Sequence, residues 1–297
     1  MLKLIKKIKE IIYYIDRSGI RIMNDKDYIS FQFKKALKRE LDLENPQSLN
    51  EKLQWIKLYD RNPEYTKMVD KYEVKEYVKN IIGEQYIIPT LGIYDNFNQI
   101  DFDKLPNQFV MKCTHDSGST IICKDKKTFD IDKAKKVLTK SLRHNFYYKA
   151  REWPYKNIKR RIIIEKYMKD DNLEDLEDFK LQCFNGVVDN IFVCVERYTE
   201  TGVKYHYFDR NWNYLPYCPY EGIDATNVGV ARPEKLDEMI EISEKLSKGI
   251  PEVRVDLYYI NGKIYFGELT FFSQGGYDLD ITYEADMEMG KRMSLPK

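Results

Sequence analysis

The chain of 297 residues is poor in histidine and cysteine and contains no long hydrophobic run. Its three histidines, His115, His144 and His206, lie far apart in sequence, which gives little support to a histidine-rich metal site or a Ser-His-Asp triad. The five cysteines (Cys113, Cys123, Cys183, Cys194 and Cys218) are scattered, odd in number and without a C-x-x-C pair. That usage argues against a disulfide framework or a zinc site and points to a reducing cytoplasm. No segment is apolar for long enough to span a bilayer, and no signal-peptide pattern is visible. Charge of one sign is missing too. Lys+Arg 49 against Asp+Glu 48 leaves no overall field to recruit nucleic acid, which is not expected as a partner. What remains is 43% hydrophobic, an ordinary globular composition long enough for one sizeable core or two moderate ones.

The first fifteen residues, MLKLIKKIKEIIYYI, put Leu4, Ile5, Ile8, Ile11, Ile12 and Ile15 on one helical face and Lys3, Lys6, Lys7 and Lys9 on the other. Two readings stand open. One is a basic amphipathic helix on an anionic membrane, which would make the protein peripheral on the inner face of that membrane. The other is a helix packed on its own domain. Further helices are expected around Phe31–Leu41, after a Ser48/Glu51 capping box, from Asp70 to Ile82, over Ile131–Arg143 and over Pro233–Ser247. Strands are expected at Tyr86–Pro89, Phe109–Cys113, Thr120–Lys124 and Arg161–Met168. A hairpin, Phe179–Phe184 with Val187–Val195, should turn at Asn185-Gly186. Helices on antiparallel hairpins indicate an α+β protein.

A second hairpin, VRVDLYYINGKIYFGELT (Val253–Thr270), carries Arg254, Asp256 and Glu268. Two carboxylates beside one arginine in an apolar hairpin are costly unless paired or holding a metal, and Mg²⁺ is typically held by one or two carboxylates plus phosphate oxygens. Side chains alternate along a strand, so loop length decides whether the two acids share a face. The expected register is a three-residue loop pairing Ile260 with Ile264, which sets Asp256 opposite Glu268. A plain two-residue Asn261-Gly262 turn would set Asp256 opposite Gly267, point Glu268 the other way and sink the shared-metal reading. An exposed edge whose charges keep it soluble is the alternative.

Three other pieces read with this hairpin as parts of one nucleotide cleft. In FVMKCTHDSGSTIICK, Lys112 can bond phosphate oxygens, and the loop Asp116–Thr120 offers backbone and hydroxyl donors. It is not a Walker A motif, and Ser-Gly-Ser is by itself more often just a turn. In RIIIEKYM, Glu165 and the adjoining backbone can meet an adenine amino group, with Tyr167 and Met168 walling the ring beside Lys166. In DFKLQCFNG, Asp178 (or Glu177) can reach ribose and Lys180 a phosphate; a polar strand edge is the alternative. REWPYKN, Arg197 and YHYFDRNWNYLP bring arginines and aromatics together, which suits an acidic sugar or amino acid, or a tyrosine-rich core edge in a chain with 24 tyrosines. Candidate substrate contacts are Arg151, Arg197, Asp209, Ser273 and Gly275.

The order Asp70-Lys71, IIP, LPNQFVMK, the Ser/Gly loop, IIIEKYM, VRVD and GELT resembles the ATP-grasp superfamily. NPQSLNEKLQWIKLYDRN, KCTHDSG, REWPYKN, DFKLQCFNG, YFDRNWNYLP and VRVDLYYINGKIYFGELTF resemble its TupA-like branch, from roughly Asn45 to Phe272. The resemblance implies two α+β subdomains clamping ATP behind a helical N-terminal extension, with boundaries expected at 1–65, 66–170 and 171–297. It implies an ATP- and Mg²⁺-dependent ligase joining a carboxylate to an amine in bacterial capsule or teichuronopeptide biosynthesis, with a polysaccharide precursor as substrate. Lys71 and Lys112 would then bind phosphate, Ser117, Gly118, Ser119 and Thr120 would form the phosphate loop, and Glu165 and Tyr167 would meet adenine. Asp178 would meet ribose and Arg254 the transferring phosphoryl group, with Asp256, Glu268 and Thr270 as metal ligands. Thr270 stands where most of the superfamily has Asn, and Gln274-Gly275-Gly276 departs from the expected Pro-containing tail. A sugar kinase on the same fold, a glycosyltransferase (from the string Asp278-Leu279-Asp280) and a non-catalytic nucleotide-binding partner of a membrane complex are the other readings.

Overall fold

A computed structural model describes residues 2–171, 176–195, 203–220 and 228–296. The helices are α1 (Leu2–Arg17), α2 (Asp25–Leu37), α3 (Leu49–Tyr59), α4 (Glu64–Val69), α5 (Val74–Ile82), α6 (Ile131–Arg143), α7 (Tyr147–Ala150), α8 (Leu236–Ser247) and α9 (Tyr283–Arg292). The strands are β1 (Thr90–Tyr94), β2 (Phe109–Cys113), β3 (Ile121–Cys123), β4 (Ile162–Lys166), β5 (Asp178–Phe184), β6 (Val187–Val195), β7 (Lys204–Phe208), β8 (Tyr214–Leu215), β9 (Glu252–Ile260) and β10 (Lys263–Thr270). Every ladder between them is antiparallel, so the class is α+β as expected.

Helix starts follow their capping chemistry. Side-chain oxygens of Asn24, Asp130 and Thr282 each accept a first-turn amide proton. At α3 the Glu51 carboxylate accepts from Ser48 N–H and the Ser48 hydroxyl from Glu51 N–H, the reciprocal box read from the sequence. Asp70 departs from expectation. It accepts from Tyr72 and Glu73 N–H in a turn, and the helix starts only at Val74. The strand expected at Tyr86–Pro89 forms instead at Thr90–Tyr94, after a 3₁₀ turn at Glu84–Tyr86. Pro89 has no N–H to give a ladder, and its carbonyl takes the Lys166 N–H.

The chain divides into two units. Unit 1 comprises residues 1–41, 57–73 and 89–167, and unit 2 residues 42–56, 74–88 and 168–297. Unit 1 holds a four-stranded sheet in the order β1-β4-β2-β3. Phe109, Met111 and Cys113 of β2 and Ile162 and Ile164 of β4 pack with Ala134 and Leu138 of α6 on one face. Alternation therefore turns Lys112 and Glu165 to the opposite face.

Unit 2 holds a six-stranded sheet in the order β10-β9-β5-β6-β7-β8. Phe179, Leu181 and Cys183 of β5 and Val253, Val255 and Leu257 of β9 are buried, and the Cys183 thiol points to the Ser243 carbonyl of α8. The register of the last hairpin corrects the sequence reading. Ile260 pairs with Lys263, so the turn is the plain two-residue one, with Asn261 and Gly262 both at positive φ (48° and 74°) as a type I′ turn requires. The extra residue sits further on, as a bulge at Gly267, and the ladder resumes with Asp256 opposite Glu268 and Arg254 opposite Thr270. The acids face each other for a different reason than expected.

Gly290 of α9 lies against the α3 cap. A Cβ there would meet Gln47 O at 2.1 Å and Leu49 N at 2.7 Å, both backbone atoms. Gly290→Ala is expected to lower unfolding stability by about 1–3 kcal/mol, read as a lower denaturant midpoint.

Candidate functional site

In unit 2 the polar face of the sheet collects its charges in two cross-strand rows. Lys180, Asp256 and Glu268 lie side by side on β5, β9 and β10, and Gln182, Arg254 and Thr270 form the next row. Asp256 accepts from Arg254 Nε at 2.6 Å and Nη2 at 2.8 Å, and from Lys180 Nζ at 2.7 Å. Lys180 also donates to Asp178 at 2.5 Å. Arg254 reaches Thr270 Oγ1 and Ser273 Oγ, each at 3.1 Å, and stands 3.7 Å from Glu268. Burial alone would lower the guanidinium pKa of Arg254, but Asp256, with Glu268 behind it, more than offsets this and holds it above its usual range. The same opposition, with Asp256 and then Asp178 as partners, raises Lys180. Both cations stay charged beside Asp256.

This donor set fits Mg²⁺. Asp256 and Glu268 are hard oxygen ligands on facing positions, with the Thr270 hydroxyl 3.4 Å from Glu268. Among the described residues no group of three or more His, Cys, Asp and Glu is poised to cage a metal. Glu268 is the accessible member, its side chain 38% exposed against 6% for Asp256.

In unit 1, Lys112 Nζ meets Glu165 Oε2 at 2.6 Å on the sheet face opposite the core. The Lys71 N–H donates to Thr114 O, which fixes that residue beside the end of β2 and the loop that follows. Arg161 reinforces the placement by bridging Asp70 at 3.1 Å and Glu73 at 2.7 Å. The loop itself is latched. Ser119 is buried; its hydroxyl accepts Cys113 N–H at 2.9 Å and donates to Asp116 at 2.6 Å, while Asp116 also accepts from Ser141 of α6. Ser117, Gly118 and Thr120 face outward, Gly118 at φ 100°. Of the expected loop donors Ser119 is therefore a structural hydroxyl. Lys166 is exposed beyond Glu165, with Tyr167 half-buried at the end of the unit and Met168, also half-buried, opening unit 2.

The expected substrate contacts divide. Ser273 joins the Arg254 group, and Gly275 lies in the following turn at φ 65°, its N–H on Phe272 O. Arg151 is a correction. Its side chain has no exposure, pairs with Asp16 and stacks over Tyr28 at 3.9 Å, so it is a core cation and not a surface contact. Asp209 is another. It accepts from Asn211 N–H, Asn213 N–H and the Asn213 amide, closing the β7–β8 turn; partial burial opposes these donors, which nevertheless hold its carboxyl below the usual range. Arg197 lies outside the described residues. The Asp278-x-Asp280 string is a turn in which Asp278 accepts Asp280 N–H, and burial pushes Asp278 up to about 6.

Sequence reasoning missed the Lys180–Asp256 pair, which depends on β5 lying beside β9, and the Asp116–Ser141 latch. The spacing of Asp116 three residues before Ser119 was the available signal for the latch.

A family model described as TupA-like ATPgrasp matches residues 51–294. Among solved structures, the chain is similar to D-alanine-D-alanine ligase from Helicobacter pylori, at 13% identity over 84% of this chain and 70% of that one, with a TM-score of 0.46. It is similar to D-alanine–D-alanine ligase from Bacillus anthracis complexed with ATP, at 16% identity over 74% of this chain and 57% of that one, TM-score 0.39. It is also similar to VanG D-Ala:D-Ser ligase from Enterococcus faecalis, at 14% identity over 80% and 58%, TM-score 0.43. No match was found among curated proteins.

Proposed function

The chain belongs to the TupA-like ATP-grasp family, and from that membership we propose that it is an ATP- and Mg²⁺-dependent carboxylate–amine ligase acting on a cell-surface polysaccharide precursor. The observation that carries this reading is the facing pair Asp256 and Glu268 with Arg254 and Lys180 held charged beside them. Phosphoryl transfer asks mainly for positioning and charge neutralisation, and this group supplies both without a protein nucleophile. Asp256 and Glu268, with Thr270, would hold Mg²⁺, which neutralises phosphate charge when bound. ATP supplies the activation of the carboxylate as an acyl phosphate that an amine then resolves to an amide.

The chain's own residues take the remaining roles. Arg254 offers donors to the transferring phosphoryl oxygens. Lys180, given its place beside Asp256, orients that carboxylate rather than reaching out for a phosphate of its own. In unit 1, Lys71, Lys112 and the outward donors Ser117, Gly118 and Thr120 serve the nucleotide phosphates, and Glu165 with Lys166, Tyr167 and Met168 serves the base. Asp178, buried beside Lys180, would contact ribose in this reading. A uronic acid and an amino acid are the substrate pair this reading favours.

The test is thermal stability with Mg²⁺ and a non-hydrolysable ATP analogue, against UDP- and GDP-sugars. A ligand at ~100 times its dissociation constant adds about 2.7 kcal/mol, a visibly raised midpoint. Mg²⁺-dependent stabilisation by the ATP analogue is expected. Stabilisation by a sugar nucleotide alone would replace the ligase with glycosyl transfer, and ADP release that needs no amine would replace it with a kinase.

A further inference from the structure

Helix α1 is fixed to unit 1 by one face and leaves another bare. Tyr13 is 3% exposed and stacks on Tyr28 at 5.0 Å between ring centroids. Asp16 is wholly buried, pairs with Arg151 and accepts the N–H groups of Ile22 and Met23. Those contacts set how the helix lies on its unit. Ile8, Ile11 and Ile15, at i, i+3 and i+7, fall on a different stripe and are 47%, 51% and 37% exposed, and Ile20 and Ile22 just beyond are 62% and 53% exposed. Elsewhere among the described residues the exposed large hydrophobics are scattered along the chain. Five isoleucines within fifteen residues are a patch, and patches mark interaction surfaces.

The charge beside the patch says what covers it. In sequence, residues 3–21 carry Lys3, Lys6, Lys7, Lys9, Arg17 and Arg21 against Glu10 and the buried, already paired Asp16, with Arg21 itself paired to Asp25, in a chain whose net charge is only +1. A second copy would set lysines against lysines. A protein partner needs a groove or a shaped face, and the isoleucines instead run along a helix and out into the following loop. We propose that α1 and the loop after it dock in the plane of an anionic lipid surface, the isoleucines entering the acyl boundary and the lysines pairing with headgroup phosphates. Among the described residues no helix is long and apolar enough to cross a membrane, so docking is interfacial. Neither signal suffices alone; shallow apolar insertion and a basic cluster together give reversible attachment.

The experiment is flotation of the full chain with phosphatidylcholine vesicles and with equal parts phosphatidylcholine and phosphatidylglycerol, at low and high salt. Binding to the anionic vesicles alone, weakened by salt, is expected. The exposed pair Ile11→Asp with Ile15→Asp should lower the bound fraction by about tenfold or more while the thermal midpoint stays unchanged. Lys6→Glu with Lys7→Glu, a second variant that leaves the apolar stripe intact, should lower binding to the anionic vesicles and abolish its salt dependence. Failure to float with anionic vesicles at low salt, or flotation that survives both double variants, overturns the proposal. A wild-type dimer in size exclusion that Ile11→Asp/Ile15→Asp converts to monomer would assign the face to a second copy and overturn it equally.

Discussion

Asp256→Asn is expected to lower turnover by about 10²–10³-fold, the loss typical of removing one strong electrostatic stabiliser from a preorganised site. The carboxylate stands between Arg254 and Lys180 and opposite Glu268, so the amide removes the charge that both cations share and one of the two proposed metal ligands. Lys180 retains Asp178, and Arg254 retains Thr270 and Ser273, so the unit stays folded. The stability loss should be about 1–3 kcal/mol, since one partner of charge-assisted hydrogen bonds is gone. Steady-state ADP release measured alongside urea unfolding separates the two effects. Near-wild-type turnover would remove Asp256 from the metal assignment, whatever the stability.

Arg151→Ala should be the most damaging single change in unit 1, costing about 3–5 kcal/mol, because it leaves a buried anion without its cation. Asp16 is fully enclosed and holds the chain at Ile22 and Met23 through its other oxygen. Its partner Arg151 is also 3.4 Å from Asp25 and packed over Tyr28 and Tyr147. The expected readout is a lower urea midpoint together with new proteolytic cleavage near Arg17, as α1 loses its anchor. Arg151→Lys should recover only part of the loss, since an ammonium cannot reproduce the planar stacking on Tyr28. An alanine variant as stable as the wild type would mean that Asp16 is solvated after all.

Much of the fold was legible where a local rule acts alone. Asp130 and the apolar spacing bound Ile131–Arg143 at the observed residues, and Asn185-Gly186 marked a real hairpin turn. Helix α9 carried its signals, Thr282 as cap, acids in the first turn and bases in the last, but too weak an apolar stripe to be read. The strand after Pro89 was hidden because Ile87 and Ile88 supply the apolar run while the ladder begins one proline later. In the site, Asp256, Glu268 and Arg254 could be picked out from one hairpin. The bulge could not, because Gly267 looks the same in either register. The Lys180–Asp256 and Arg151–Asp16 pairs join segments distant in sequence, and charge pairing across such distances leaves no local mark.

The latched loop of unit 1 bears on the thermodynamics of ligand capture. With Ser119 tied to Cys113 and Asp116, and Asp116 tied to Ser141, the β2–β3 connection surrenders most of its conformational entropy when the chain folds. Ser117, Gly118 and Thr120 stay exposed around these ties. The same latch occupies the half-buried Asp116 carboxylate with the hydroxyls of Ser119 and Ser141. A nucleotide phosphate, if it binds there as proposed, would meet a surface already in shape, with little of the interaction consumed in ordering the chain.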